Sequence, residues 1–159
     1  MADILILDMG TIKGNCTING YADKIIVESY VPTSVTMPMQ MDLANSERTM
    51  GRPSFSDYYF TKLTDIATPV LFQFSTLATP IPKVVFFRGR MEGSTGDFME
   101  QEKHTLTDVF IVNFQPGQGM ESFSLNFSSV QLEVKQQLKT GALKGTSAFI
   151  FDQSTAKKG

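Results

Sequence analysis

The sequence predicts a mainly β fold, a small β-barrel or two-sheet domain carrying one α-helix. Short runs rich in Val, Ile, Phe, Tyr and Thr recur from one end to the other, and clusters of Gly, Pro, Asn and Asp separate them. One segment departs from that rhythm, with near-helical spacing behind a helix-start signal. A length of 159 residues, 42% of them hydrophobic, suits a single domain spanning 1–159 with a real core.

Strands are expected over residues 3–9, 24–31, 54–61, 83–90, 99–114, 122–137 and 147–151. Between the first two, "GNCTINGYADK" reads as a further short strand with turns on both sides. The stretch 32–51, "PTSVTMPMQMDLANSERTMG", has neither clean period and is expected to be a long loop. In "TDIATPVLFQFSTLATP", Thr68 is expected as N-cap and Pro69 as first helical residue, where its missing N–H costs nothing. The helix should run to about Leu77, with Val70, Leu71, Phe74 and Leu77 forming a stripe that packs on a sheet, and Pro80 and Pro82 preventing continuation. "MEGSTGD" reads as a hairpin turn, and "QPGQGMES" as the loop of a longer hairpin. The polar, basic tail at about 153–159 is expected to be disordered.

"ESFSLNFSSVQLEV" changes its buried parity partway. Phe123, Leu125 and Phe127 are odd, whereas Val130, Leu132 and Val134 are even. One extra residue in a ladder does this, so a β-bulge or strand corner is expected at Ser128 and Ser129. The two sets should then face two core layers.

Composition excludes several classes of chemistry. A formal charge of −2 gives no basic field for nucleic acid or anionic lipid. Cys16 is the only cysteine, so no intrachain disulfide and no paired-thiolate zinc site is available. His104 is the only histidine, which rules out a zinc site of two imidazoles, and it reads as a partly exposed strand residue. A hydrolase built on Ser94 or Cys16 lacks acid–base partners, and no phosphate-cradling motif is present. Neither an enzyme nor a cofactor is expected. "MADILILDMG" has no basic n-region or cleavage motif, and no run approaches the roughly 20 apolar residues that span a bilayer. Synthesis in the cytoplasm is therefore expected, with any export made without a cleaved signal peptide. Met37, Met39 and Met41 in "MPMQM" share one face of an extended segment, which suits adaptable docking more than Cu(I).

Several stretches taken in order resemble the haemolysin-coregulated protein (Hcp) family. "ESFSLNFSSVQLEV" looks like that family's late strand with its shifted alternation. "SFSDYYFTKLTDIATPVLFQ" resembles the segment where a strand ending in Thr-Lys leads through Asp to a Ser/Thr-Pro helix start, here Thr61, Lys62, Asp65, Thr68, Pro69 and Leu71. "IKGNCTINGYADKIIVESY" is similar to the early region, with Lys13, Gly14, Gly20, Ile26 and Glu28 matching.

The resemblance implies a phage tail-tube-like barrel with one helix, assembled as a hexameric ring. Stacked rings form the hollow tube of a bacterial type VI secretion system. The implied partners are further copies of the chain, a spike protein at the tube tip, a contractile sheath and small effector proteins in the lumen. Nucleic acid and membrane are not among them. The tube would be exported to the medium or a target cell. On this expectation the 32–51 loop makes the ring-stacking contact, through Met37, Met39, Met41, Arg48 and Met50. The alternative is an effector-binding chaperone of the same fold that forms rings without long tubes.

Overall fold

The computed structural model describes residues 3–42, 47–50, 52–91, 96–137, 143–153 and 157–158. In chain order these form β1 (Ile4–Asp8), β2 (Ile25–Val27), β3 (Ser29–Val31), β4 (Val35–Thr36), β5 (Met39–Asp42), β6 (Glu47–Met50), β7 (Ser54–Phe55) and β8 (Tyr58–Leu63). There follow α1 (Thr68–Thr76), β9 (Ile81–Met91), β10 (Phe98–Gln115), β11 (Met120–Asn126), β12 (Ser129–Gln137), β13 (Leu143–Asp152) and β14 (Lys157–Lys158). The fold is mainly β with one helix among the described residues, as the alternation predicts.

Every ladder is antiparallel, and β10 is the strand common to two sheets. Its Glu102–Thr107 stretch lies between β9 and β12, and the first sheet continues from β9 to β1 and β2, and from β12 to β13 and β14. Its Phe110–Gln115 stretch pairs with β11, which leads on to β8 and β3. The sheet changes neighbours around Asp108, whose φ of 51° is a left-handed conformation that a side chain tolerates poorly. Opposite it the companion strand breaks as well: β11 ends at Asn126 and β12 begins at Ser129. Ser128 N–H donates to the Thr107 carbonyl at 3.0 Å, and its hydroxyl lies 3.3 Å from the Asp108 carboxylate. Both strands therefore turn along one line.

The wrap is barrel-like without a continuous closing ladder. The expected strand over 24–31 is divided at Glu28, so that β2 pairs with β1 in one sheet and β3 with β8 in the other. Between them the Glu28 N–H donates to the Thr61 carbonyl at 2.8 Å. "GNCTINGYADK" forms turns instead of a strand, held by backbone bonds from the Cys16 N–H to the Lys24 carbonyl, the Asp23 N–H to the Cys16 carbonyl and the Gly14 N–H to the Asp23 carbonyl.

The core fills the space between the sheets. Phe60 of β8 stacks on Phe123 of β11 at 5.6 Å and meets Phe86 of β9 at 5.3 Å, so aromatic rings join the layers. Phe123, Leu125 and Phe127 are all buried, and so is Val130. Leu132 and Val134 are exposed, so the second set does not form another core layer within this chain. After the corner only Val130 keeps its place inside.

α1 covers one end of the core with Leu71, while Phe72 meets Phe114 of β10 edge-on at 5.8 Å. Its N-cap is Ala67, not Thr68, and no side chain caps it. The Thr68 hydroxyl is occupied elsewhere, by Glu121, which explains the shift by one residue. Asp65 Oδ1 instead accepts the Ala67 N–H at 2.9 Å, closing the turn before the helix.

Two further segments differ from expectation. The excursion 32–51 is organised by short ladders: β4 pairs with β7, and β5 with β6 as a two-stranded arm. Near the carboxyl end, Lys157 and Lys158 pair with Asp152 and Phe151. The turn in "MEGSTGD", with Ser94, lies outside the described residues.

Candidate functional site

The arm is set off from the main sheets by Pro32 and Pro38, which cannot donate to a ladder. Met37 and Met39 are exposed on it, Met39 at 55%. The register sets Met50 opposite Met39 and Arg48 opposite Met41. The side chains of Met41, Arg48 and Met50 lie outside what is described.

At the root of the arm is a cleft of about 310 Å³. Its walls are Val35 and Phe55 on one side and Val130, Leu132 and Phe149 on the other. Leu132, Val134 and Phe149 are exposed on adjoining strands, Phe149 at 53%. Apolar surface also lies open elsewhere: Ile66, Phe72 and Leu77 on and beside α1, Phe110 and Val112 on β10, and Tyr59, Leu63 and Met120 on β8 and β11. Scattered apolar residues are ordinary on a monomer, but a lined cleft flanked by exposed strands marks a surface made to be covered.

The cleft floor is polar. Tyr58, His104 and Glu102 line it and form one chain of hydrogen bonds. His104 is only 3% exposed, which corrects the expectation of a partly exposed strand residue. Its Nε2 lies 2.6 Å from Glu102 Oε1 and its Nδ1 2.6 Å from the Tyr58 hydroxyl. A carboxylate only accepts, so Nε2 carries the proton. In the neutral ring Nδ1 therefore accepts from the Tyr58 O–H. The chain continues outward as Arg88 donates to Glu102 at 2.8 Å and to Asp3 at 2.9 Å.

Burial pushes the His104 imidazolium below its ordinary range, and the Glu102 carboxylate offsets only part of that. Burial alone would raise the Glu102 carboxyl, but hydrogen bonds from Arg88 and His104 outweigh it and leave the group more acidic than usual. Burial and the Glu102 charge push the Tyr58 phenol well up, so it stays a donor at all moderate pH.

A second polar cluster sits under the start of α1. Lys62 is fully buried yet pairs with Asp65 at 2.8 Å and with Glu121. The Thr68 hydroxyl donates to the same Glu121 carboxylate at 2.7 Å, and the Asp65 N–H donates to Thr68 Oγ1 at 3.1 Å. The cluster ties β8, β11 and the helix start together. Two of its members were within reach of sequence reasoning by parity alone: Lys62 is in phase with Tyr58 and Phe60, and Glu121 with Phe123 and Leu125.

The remaining candidates stay apart from this surface's chemistry. Cys16 is a buried free thiol. Ser128 and Ser129 sit at the strand corner, where Ser129 pairs with Thr107 and Asp152. Among the described residues no group of three His, Cys, Asp or Glu side chains could hold a metal, and no helix is long and apolar enough to cross a membrane.

The family model for the type VI secretion system effector Hcp matches residues 6–134. By sequence, no curated protein matches the chain. Among solved structures, one titled as a type six secretion system protein is similar at 17% identity and a TM-score of 0.88, over 99% of this chain and 100% of that one. Hcp1 from Salmonella typhimurium is similar at 21% identity and a TM-score of 0.78, over 99% of each chain. The anti-feeding prophage baseplate contains a chain similar at 10% identity and a TM-score of 0.53, over 82% of this chain and 91% of that one. These likenesses show a shared fold.

Proposed function

Because the chain belongs to the Hcp family of the type VI secretion system, we propose that it is a structural, exported tube subunit whose copies close into hexameric rings that stack. The observation that carries this reading is the uncovered apolar cleft at the root of the arm, flanked by Leu132, Val134 and Phe149. A heterologous contact repeated around an axis closes into a ring when its rotation divides a full turn, and a second such contact between rings repeats without limit. Each junction within a ring should bury roughly 1,200–2,000 Å². The work of such a protein is assembly and not bond-making.

The stacking contact is assigned to the arm, through Met37, Met39, Met41, Arg48 and Met50. Exposed thioethers at Met37 and Met39 support this, because methionine refits to a partner at low cost. The strand corner at Ser128 and Ser129 serves the ring contact by turning Leu132 outward to the cleft wall. On this reading the tube carries a spike at its tip, is driven by a contractile sheath and holds small effector proteins in its lumen.

Electron microscopy of negatively stained protein tests the assembly. Six-fold annuli are expected, and a solitary molecule at high concentration overturns the reading. Deleting Met37 to Met41 should leave rings intact while reducing stacking, and unchanged stacking removes the arm from the contact.

A further inference from the structure

The polar chain beneath the cleft is an unusual floor for an apolar surface. Tyr58 reaches it from β8, His104 and Glu102 from β10, and Arg88 from β9, with Asp3 at the outer end before β1. Tyr30 of β3 lies edge-on to the imidazole with ring centres 6.4 Å apart, and β12 sets Leu132 opposite His104 in register. Every hydrogen-bonding position of the neutral imidazole is filled, one by a donor and one by an acceptor.

That arrangement works for only one protonation state. A proton added to the ring goes to Nδ1, which stops accepting and becomes a donor to the Tyr58 oxygen. The Tyr58 hydrogen must then turn away from the ring. Of the other side chains that line the cleft, Val35, Phe55, Val130, Leu132 and Phe149 offer no acceptor, and the Thr33 hydroxyl is engaged with the Ser56 carbonyl. A buried hydroxyl hydrogen without an acceptor is destabilising, and water entering the cleft supplies one. The acid form therefore favours an open, wet cleft, and the neutral form a covered, dry one.

We infer that Tyr58, His104 and Glu102 form a pH-sensitive latch, in which protonation of His104 hydrates the cleft between Val35, Phe55, Leu132 and Phe149 and weakens the apolar contact that covers it. The local step stands on the hydrogen-bond geometry alone. Its consequence for the association of copies rests on the tube reading. Coupling is reciprocal, so covering the cleft must also make His104 harder to protonate.

Because His104 is the only histidine, its ring signal in a proton–carbon spectrum is assigned without ambiguity. The test follows that signal, the methyl signals of Leu132 and Val130, and particle size, from neutral to mildly acid pH. The methyl signals should change with the same midpoint as His104, and the assembled fraction should fall over that same interval. Glu102→Gln removes the carboxylate charge that favours the imidazolium, so all midpoints should move together to lower pH. His104→Gln should abolish the methyl transition. Should that variant fail to fold, the Glu102→Gln comparison decides alone. Methyl signals that stay constant while His104 titrates, or that keep their midpoint while Glu102→Gln moves the imidazole, overturn the latch. If the protein is monomeric at neutral pH but the methyl and imidazole signals still move together, the tube reading fails and the latch stands.

Discussion

Lys62 shows what one residue can cost. It is fully buried, and its ammonium is held by Asp65 and Glu121. Removing one partner of a buried ion pair leaves the others charged without compensation, at about 3–5 kcal/mol. Lys62→Met should therefore lower the denaturation midpoint severely, and a Lys62→Met, Glu121→Leu double variant should recover part of the loss. A double variant no better than the single one would show that the charges are not coupled. His104 acts in the opposite sense, since its proton is disfavoured by folding. Its folded value lies below the ordinary 6.5, so the unfolded chain binds more protons in the interval between them. Stability should be full above that ordinary value and decline as pH falls through the interval. Glu102, held below its ordinary 4.5, contributes stability that is present above that value and lost as pH falls through its lower folded value. Denaturation at stepped pH should thus show a first loss that disappears in His104→Gln and a second, more acid one that disappears in Glu102→Gln.

At the scale of elements, the corner at Asp108 and Ser128 sets the path of two strands at once. Asp108→Ile puts a β-branched side chain at φ 51°, which should cost about 1–3 kcal/mol, whereas Asp108→Gly should relieve the backbone at the loss of the Ser128 contact. Equal denaturation midpoints for the two variants would show that the corner holds no strain. Most strands were legible because period-two alternation and turn residues report a half-buried ladder directly. The division of 24–31 was not, because "KIIVESYV" contains no Gly or Pro. Its break comes from Glu28 meeting Thr61 across the fold, which no local pattern records. The same holds for the helix start, where Glu121, 53 residues away, draws Thr68 out of the cap position. The methionines of the arm could be singled out from their spacing. The cleft could not, since its walls and floor come from five separate segments, and His104 stands among polar neighbours in "EKHTLTD" that hide its inward phase.

For the whole molecule, the exposed apolar strands set the expected behaviour in solution. Leu132→Asp and Phe149→Asp alter side chains that are open to solvent in the single chain, so folding should be preserved within about 0.5 kcal/mol. The same changes should abolish rings in sizing and microscopy, because a carboxylate buried in an apolar contact is costly. Rings that survive both changes would move the ring contact to another face. On the proposed reading the subunit is pushed along the tube axis, and the clasping of β10 sets how it resists that load. Glu102 to Thr107 of β10 is clasped on both edges, by β9 and by β12, while the rest of the strand runs on into the second sheet. Tension along that strand loads many inter-strand hydrogen bonds in shear at the same moment, and neither sheet can be unzipped from it one bond at a time. Among the described residues the two-stranded arm has no such clasp, so under mechanical load it should yield before the body does.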